Sequence, residues 1–400
     1  MSLQNTTNSE RIHIGFFGNR NAGKSSLVNA IIGQNMAVVS DVKGTTTDPV
    51  KKAMELLPLG PVLIIDTPGL DDEGELGVLR IQKTQDILKQ TDIAVLVVDA
   101  CIGLSVEDKA LLVLFQERNL PYILVWNKVD LLDIMPNCKE NEVCVSTITG
   151  AGIENCKEML GDFAKSNAPK KQIVADLLEA GDVVVLVIPI DESAPKGRLI
   201  LPQQQTIRDI LDAGCTVVCC QDTELTQTLQ ALQKKPKLVI TDSQAFGRVA
   251  KDVPEDVLLT SFSILFARYK GELATLVQAV KKLSTLKDED CILISEGCTH
   301  HRQCGDIGTV KIPNWITQFS KANPQYAFTS GQEFPNDLEK YALVIHCGGC
   351  MLNEKEMKHR IQTATNAQVP IVNYGIAIAY MHGILKRSVE IFPEILALLD

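Results

Sequence analysis

The sequence predicts an α/β protein, with a phosphate-loop domain followed by two smaller parallel-sheet α/β domains. Three observations carry that expectation. Strand-sized apolar runs alternate with amphipathic stretches along almost the whole chain, the pattern of parallel strands joined by helices. The segment GNRNAGKSS, Gly18 to Ser26, lies between the first apolar run and a helical stretch. The alternation breaks at one polar linker, KSNAPKK, and then resumes as a new series.

The bulk numbers set outer bounds. Four hundred residues exceed what one hydrophobic core usually organises, so two or three domains are expected. Apolar content of 45% with 22% charged residues is ordinary for a globular protein. A net charge of −10 argues against a general nucleic-acid surface. The longest apolar candidate, Val183 to Ile190, falls well short of the roughly 18 residues that span a bilayer. The N-terminal MSLQNTTNSE lacks the charged-then-apolar layout of a signal peptide. A cytoplasmic location with no membrane contact is therefore expected. In that compartment the twelve cysteines are expected to be thiols or metal ligands rather than disulfides. Cys219 and Cys220, in the apolar run CTVVCC, read as buried core thiols.

Taken in order, strands are expected at Ile12–Phe17, Val62–Asp66, Ile93–Asp99, Tyr122–Trp126 and Val143–Val145, with RIQKTQDILKQT among the intervening amphipathic stretches. After the linker come DVVVLVIPI, CTVVCC, PKLVIT and VLLTSF, separated by helical QQQTIRDILDAG and DTELTQTLQALQ. This middle block shows no cluster of polar catalytic residues. A third series opens with the helix KGELATLVQAVKKLSTL and continues through CILIS, QYAFTS, YALVIH and VPIVNY. The domains are thus expected at 1–168, 169–270 and 271–400. No repeat of fixed period is visible.

The first block carries a set of nucleotide motifs. GNRNAGKSS fits G-x-x-x-x-G-K-[ST], in which backbone N–H groups around Gly18, Asn21, Ala22 and Gly23 wrap phosphates. Lys24 supplies charge to the β- and γ-phosphates, Ser25 offers a hydroxyl to Mg²⁺, and Ser26 completes the loop. DTPG closes an apolar strand, where Asp66 can hold the Mg²⁺ shell and the Gly69 N–H can reach the γ-phosphate. Lys24, Asp66 and Gly69 are the expected catalytic set. GTTTDP places Thr45, Thr46 and Thr47 where a loop would close over Mg²⁺. NKVD supplies Asn127, Lys128 and Asp130. The Asp130 carboxylate can accept two hydrogen bonds from guanine that adenine cannot offer. STITGAG adds Ser146 and Thr147 beside the base. The order of these motifs marks a P-loop GTPase domain using GTP and Mg²⁺.

This block resembles the tRNA-modification TrmE/Era group of GTPases. Where Ras-like enzymes carry a water-orienting glutamine, this chain has Leu70. Members of the group use K⁺ held by an asparagine of the phosphate loop, and Asn21 occupies that position. The resemblance implies K⁺-stimulated GTP hydrolysis.

The C-terminal block gathers Cys298 and His300, then, after 45 residues, His346, Cys347 and Cys350. Both halves follow apolar strands, and loops at the carboxyl ends of parallel strands share one edge of a sheet. Gly348 and Gly349 allow a sharp turn between two thiols. Residue chemistry permits a closed tetrahedral zinc site from Cys298, His300, Cys347 and Cys350. It equally permits an iron–sulfur cluster on three thiolates with one iron open. Asp306 and, more weakly, Cys304 lie close by in sequence.

A GTPase block followed by CxH and HCxxC resembles the FeFe-hydrogenase maturation GTPases, the HydF family, over essentially the full chain. That resemblance implies a 4Fe–4S cluster on Cys298, Cys347 and Cys350, with His300, His346 and Asp306 as candidate fourth ligands. It implies a homodimer formed by the middle block, and a scaffold or carrier that receives a transient di-iron precursor and delivers it to apo FeFe-hydrogenase. No CxxxCxxC motif is present, so building the precursor falls to radical S-adenosylmethionine maturases as partners. The competing readings are a tRNA-modification-type GTPase and a zinc-stabilised regulatory GTPase.

Overall fold

The computed structural model describes residues 10–33, 50–56, 59–67, 84, 87–166, 171–190, 197, 199–297, 306–331, 333–335, 337–349 and 352–399. The chain divides into two compact units, Met1–Pro169 and Lys170–Asp400.

The first unit is built on a six-stranded sheet in the order β2-β3-β1-β4-β5-β6. Its strands are β1 (Ile12–Phe17), β2 (Val50–Leu56), β3 (Gly60–Asp66), β4 (Ile93–Asp99), β5 (Tyr122–Asn127) and β6 (Glu142–Cys144). All pairings are parallel except β2 against β3. Successive side chains of a strand point to opposite faces. Ile14, Phe16, Ile64, Val95, Val97 and Val125 therefore fill one core, and Phe17, Leu63, Ile65, Leu96 and Leu124 fill the other. Burial on both faces explains why these strands read as continuous apolar runs. β2 has no such run. Among the described residues, its sequence VKKAMEL pairs on one side alone, at the sheet's edge, and composition does not reveal it. Thr84 and residues 87–90 are helical, within the stretch expected to be amphipathic.

The second unit contains two four-stranded parallel sheets. One comprises β7 (Val183–Val187), β8 (Thr216–Cys220), β9 (Leu238–Thr241) and β10 (Leu258–Ser261). The other comprises β11 (Cys291–Ser295), β12 (Gln325–Thr329), β13 (Leu343–His346) and β14 (Ile371–Asn373). The orders are β8-β7-β9-β10 and β12-β11-β13-β14, so the two sheets share one topology. They also share register at their centres. Val183 pairs with Thr216 and Val184 with Leu238, just as Cys291 pairs with Gln325 and Ile292 with Leu343. This duplication is invisible in the sequence because the matching positions share apolar character rather than identity. Each sheet has its switch point between its first and third strands, where ligands gather in open α/β sheets.

One continuous core joins the two sheets, running from Val184 and Phe246 through Leu265 and Val277 to Ile294 and Ile345. The helix Tyr374–Met381 is buried from Tyr374 to Ala379 and lies inside this core. Polar clamps reinforce it. Arg387 donates to the carbonyls of Ala250, Val253 and Pro254, and Asn373 Nδ2 donates to Ser263 O at 2.9 Å.

Both sheets end in an edge strand, β8 and β12, whose first and fourth residues are exposed. Cys219 is consequently exposed and Cys220 half-buried, which corrects the expectation of buried thiols there. The run CTVVCC is apolar like a central strand, but among the described residues its strand β8 has a neighbour on one side alone. Among the described residues, no helix is long and apolar enough to cross a membrane.

The start of the second unit hangs on one carboxylate. Asp209 Oδ2 accepts the N–H groups of Ile173, Val174 and Ala175 at 3.1, 2.8 and 2.8 Å. Removing it leaves three donors to find new acceptors. Asp209→Ala is expected to cost the second unit about 2–3 kcal/mol. In urea unfolding this appears as a lower midpoint for that unit, with the first unit's transition unmoved.

Candidate functional site

The phosphate loop grows from the carboxyl end of β1. Gly18 has φ +134°, and a Cβ there would lie 2.2 Å from Val97 O. Gly23 has φ +93°, and its Cβ would lie 2.1 Å from Asn127 Nδ2. Both positions require glycine because backbone and side chain approach too closely for anything larger. Asn21, at the exposed turn between them, is left-handed as well, with φ 59°. Ala22 is buried, and Lys24, Ser25 and Ser26 open the helix Lys24–Ile32. The Lys24 ammonium donates to Gly18 O and Asn19 O, both at 2.8 Å, and so curls over the loop.

Two carboxylates frame this loop. Ser25 Oγ donates to Asp66 Oδ2 at 2.7 Å. Burial pushes the Asp66 carboxyl up, against the pull of the Ser25 hydrogen bond and the Lys24 charge. Its other oxygen, Oδ1, is buried with no hydrogen-bond partner among the described residues. A hydroxyl beside an unsatisfied carboxylate oxygen suits a hard divalent cation such as Mg²⁺. On the opposite side Asn19 Nδ2 donates to Asp108 Oδ2 at 3.2 Å.

The base-side motifs join the same edge of the sheet. Asn127 closes β5 and donates through Nδ2 to Ala22 O at 2.9 Å, which ties NKVD to the phosphate loop. Lys128 has φ 66° and pairs with Asp99 at 2.6 Å. Burial opposes it, yet the Lys128 and Cys101 hydrogen bonds hold the Asp99 carboxyl below its usual range. Asp130 is exposed. Ser146 is buried and its Oγ accepts the N–H groups of Ile148 and Thr149 at 3.3 and 3.1 Å, shaping the loop that holds Thr147. Thr45, Thr46, Thr47, Gly69 and Leu70 lie outside the described residues.

The second candidate site lies at the switch point between β11 and β13. These strands are parallel neighbours with Ser295 opposite His346, so Glu296 and Gly297 after β11 meet Cys347 after β13 at one edge. Gly297 N donates to Cys347 Sγ at 3.0 Å, and Gly349 N donates to the same sulfur at 3.4 Å. Cys347 N in turn donates to Ser295 O at 3.0 Å. Two N–H groups aimed at one sulfur favour a thiolate over a thiol, and thiolate is the form that binds iron or zinc. Gly297 immediately precedes Cys298, and Gly349 immediately precedes Cys350. Cys298, His300, Cys304 and Cys350 themselves lie outside the described residues.

His346 is 1% exposed. Its Nδ1 lies 2.7 Å from Cys347 O, and its Nε2 lies 3.1 Å from Arg360 Nη1. An arginine can donate but not accept, so Nε2 is the acceptor and Nδ1 carries the proton. Burial and the Arg360 charge push its pKa down to about 3. The ring is neutral, and as placed neither nitrogen is available to a metal. Asp306 caps the turn Ile307–Lys311, with Oδ2 accepting Thr309 N and Oγ1 at 2.8 and 2.9 Å.

Sequence reasoning did not reach the residues that hold this edge together. Arg360 is fully buried. It donates to Glu356 Oε1 at 2.9 Å, Gly331 O at 2.8 Å and Ser295 Oγ at 3.4 Å, and lies over the Phe334 ring. Its guanidinium thus gathers the carboxyl ends of β12, β11 and β13. Tyr374 OH donates to Glu296 Oε1 at 3.2 Å. Neither residue sits in a motif. Arg360 falls within the polar stretch EKEMKHRIQT, which reads as a solvated helix face.

Comparison with known proteins matches three stretches of the chain, one in the first unit and two in the second. Residues 13–128 match the family model of the 50S ribosome-binding GTPases. Residues 173–271 match the hydrogen maturase F dimerization domain, and residues 274–391 its tetramerization domain. The tRNA modification GTPase MnmE of Nitrosomonas europaea is 36% identical over 158 residues, 38% of this chain and 35% of that protein. The GTPase Der of Kosmotoga olearia is 35% identical over 129 residues, 31% of this chain and 29% of that protein. The chain thus spans about a third of the length of these curated relatives. Among solved structures, Era from Aquifex aeolicus bound to GDP and AlF4⁻ matches with a TM-score of 0.34 at 17% identity, over 52% of this chain and 94% of that one.

The close approach of Gly23 to Asn127 gives a direct test. Gly23→Ala adds about 1–2 kcal/mol of left-handed backbone strain and forces Asn127 off Ala22 O. Titration with a fluorescent guanine nucleotide should show affinity at least about tenfold weaker, while the thermal transition of the second unit stays in place.

Proposed function

The chain belongs to the hydrogen maturase F family of GTPases, and from that premise we propose that it is a GTP-hydrolysing carrier. It holds a 4Fe–4S cluster at the end of its third sheet and passes a di-iron precursor to apo FeFe-hydrogenase. The observation that supports this most is the hydrogen bond from Gly297 N to Cys347 Sγ. It brings the strand end leading to Cys298 against the sulfur of the other half-motif.

Cys298, Cys347 and Cys350 would hold the cluster, and the N–H groups on Cys347 Sγ fit the role of an iron-bound thiolate. When bound, the cluster supplies an iron with one exchangeable position. His346 orients the Cys347 backbone through Nδ1–H, with its own ring fixed by Arg360. The fourth position is then left to His300, to Asp306 if its cap opens, or to water. The di-iron unit is cargo, assembled by radical S-adenosylmethionine partners and released to the hydrogenase.

In the first unit, Ser25 and Asp66 would hold Mg²⁺, with one of Thr45, Thr46 and Thr47 from the closing loop. Lys24 and the Gly69 N–H would steady the γ-phosphate. Asn127, Lys128 and Asp130 would select guanine, supported by Ser146 and Thr147. Nucleotide then acts as a switch that orders the closing loops and sets contact with partners, rather than driving the iron chemistry. Two copies associate through the middle segment, where the edge strand β8 can extend its sheet with the same strand of a second copy.

Two measurements test this reading. Protein purified without oxygen should be brown and carry iron and sulfide, with most of the iron lost in Cys347→Ala. A colourless protein carrying zinc would overturn the carrier assignment. In the first unit, GTP turnover should be several-fold faster in K⁺ than in Na⁺, and Asn21→Ala should abolish the difference. Equal rates in the two salts would remove K⁺ from the mechanism.

A further inference from the structure

The first unit holds a pair of thiols that none of its motifs uses. Cys138 lies in the connection that leads from NKVD to β6, and Cys144 is the last residue of β6. Both are half-buried. Both donate to one acceptor, Pro136 O, at 3.8 and 3.7 Å, which brings the two sulfurs together. Burial, and after it the hydrogen bond and charge of Cys138, push the Cys144 thiol up to about 12. A thiol is a weak donor, so a carbonyl that needed no more than a cap would be better served by a hydroxyl. Among the described residues, no group of three cysteines, histidines or carboxylates that could hold a metal ion is present. Two adjacent thiols do have a chemistry that hydroxyls lack, oxidation to a disulfide.

Each thiol is joined to a base motif. The connection that carries Cys138 begins at Asp130, the last residue of NKVD. On the other side, Val145 follows Cys144. Its N–H donates to Trp126 O at 2.8 Å and its carbonyl accepts Val129 N at 3.3 Å, so it stitches STITGAG to NKVD. Gly152 closes on Cys144 itself. Its φ is +72°, and a Cβ there would lie 2.0 Å from Cys144 O, so the packing has no slack at this point. We propose that Cys138 and Cys144 form a reversible disulfide, and that this bond weakens guanine-nucleotide binding by shifting the base motifs. This rests on the guanine reading of those motifs given above. Bonding draws the sulfurs well inside van der Waals contact, and whichever sulfur moves, a base motif moves with it. The oxidant is a small-molecule disulfide. Cys144 keeps its proton at neutral pH, so the first attack falls to Cys138, which forms a mixed disulfide and releases one small thiol. The Cys144 sulfur then displaces the second. Two electrons and two protons leave the protein on the two small thiols. Only five residues separate the cysteines, so the bridge removes little chain entropy and stays reducible. Coupling is reciprocal, so bound nucleotide opposes the disulfide by the same factor.

The experiment uses the full chain without oxygen, as wild type, Cys138→Ser and Cys144→Ser, each either reduced or equilibrated with oxidised glutathione. Peptide mapping reads the state of the sulfurs, and titration with a fluorescent guanine nucleotide reads affinity. In the oxidised wild type, Cys138 is expected to be linked to Cys144. Its affinity is expected to be about tenfold weaker and to return on reduction with dithiothreitol. Both serine variants are expected to keep their reduced affinity in oxidised glutathione. Saturating GDP is expected to raise the midpoint potential of the pair by about 30 mV, the same tenfold factor for a two-electron couple. Recovery of Cys138 and Cys144 as free thiols, or of Cys138 as a stable mixed disulfide, would overturn the inference. A mapped bridge with unchanged affinity would also overturn it. So would an equal loss of affinity in the serine variants, because that places the effect on other cysteines. If neither variant folds, a wild-type midpoint that GDP does not move overturns it on its own. Reduced wild-type protein that binds no guanine nucleotide would instead overturn the reading of the base motifs beneath it.

Discussion

The pairing of β11 with β13 is the constraint on which the C-terminal site depends. Parallel strands in register bring their carboxyl ends to one edge whatever their separation in sequence. Ser295 lies opposite His346 in the ladder, and the next residues along each strand must meet. The N–H of Gly297 then reaches Cys347 Sγ at 3.0 Å, and Cys347 N reaches back to Ser295 O at the same distance. The residue leading into a three-residue motif is thereby set against the first sulfur of a five-residue motif through backbone geometry. The same logic governs the first unit, where β1, β3, β4 and β5 deliver the phosphate loop, Asp66, Asp99 and Asn127 to a common edge.

Holding such an edge still requires buried polar groups, and the second unit arranges them in balance. Arg360 has a carboxylate, a carbonyl, a hydroxyl and an imidazole as acceptors. An isolated buried guanidinium would be prohibitively costly, and a fully bonded one rigidifies what it touches. That rigidity fixes the ring of His346 and, through its Nδ1–H, the carbonyl of Cys347. The duplicate sheet in the same unit offers an internal comparison. It has the same strand order and central register, but Asp242 and Ser243 follow β9 where Cys347 and Gly348 follow β13. Shared topology supplies the edge, and the residues placed there decide the chemistry.

The sequence made the strands of the first unit legible because both their faces are buried, and it made the phosphate loop legible because its glycines are required by close contacts at Gly18 and Gly23. Its reach ended where structure depends on neighbours. β2 escaped because an edge strand needs no continuous apolar run, and Cys219 was misplaced for the converse reason. His346 stood among three candidate fourth ligands, and nothing in the sequence shows that its ring is already bonded on both sides. Its partner Arg360 lies 14 residues away, on a helix whose composition looks solvated. The shared topology of the two later sheets was equally hidden, because apolar residues exchange freely in a core while strand order persists.

The central claim is geometric: the two half-motifs converge before any metal binds. Mild oxidation of the metal-free protein, followed by peptide mapping, tests it without reference to iron or activity. Convergence predicts a disulfide from Cys298 to Cys347 or Cys350. Recovery of Cys298 as a free thiol, or linked to a cysteine of the first unit, while Cys347 and Cys350 pair with each other, would contradict the account.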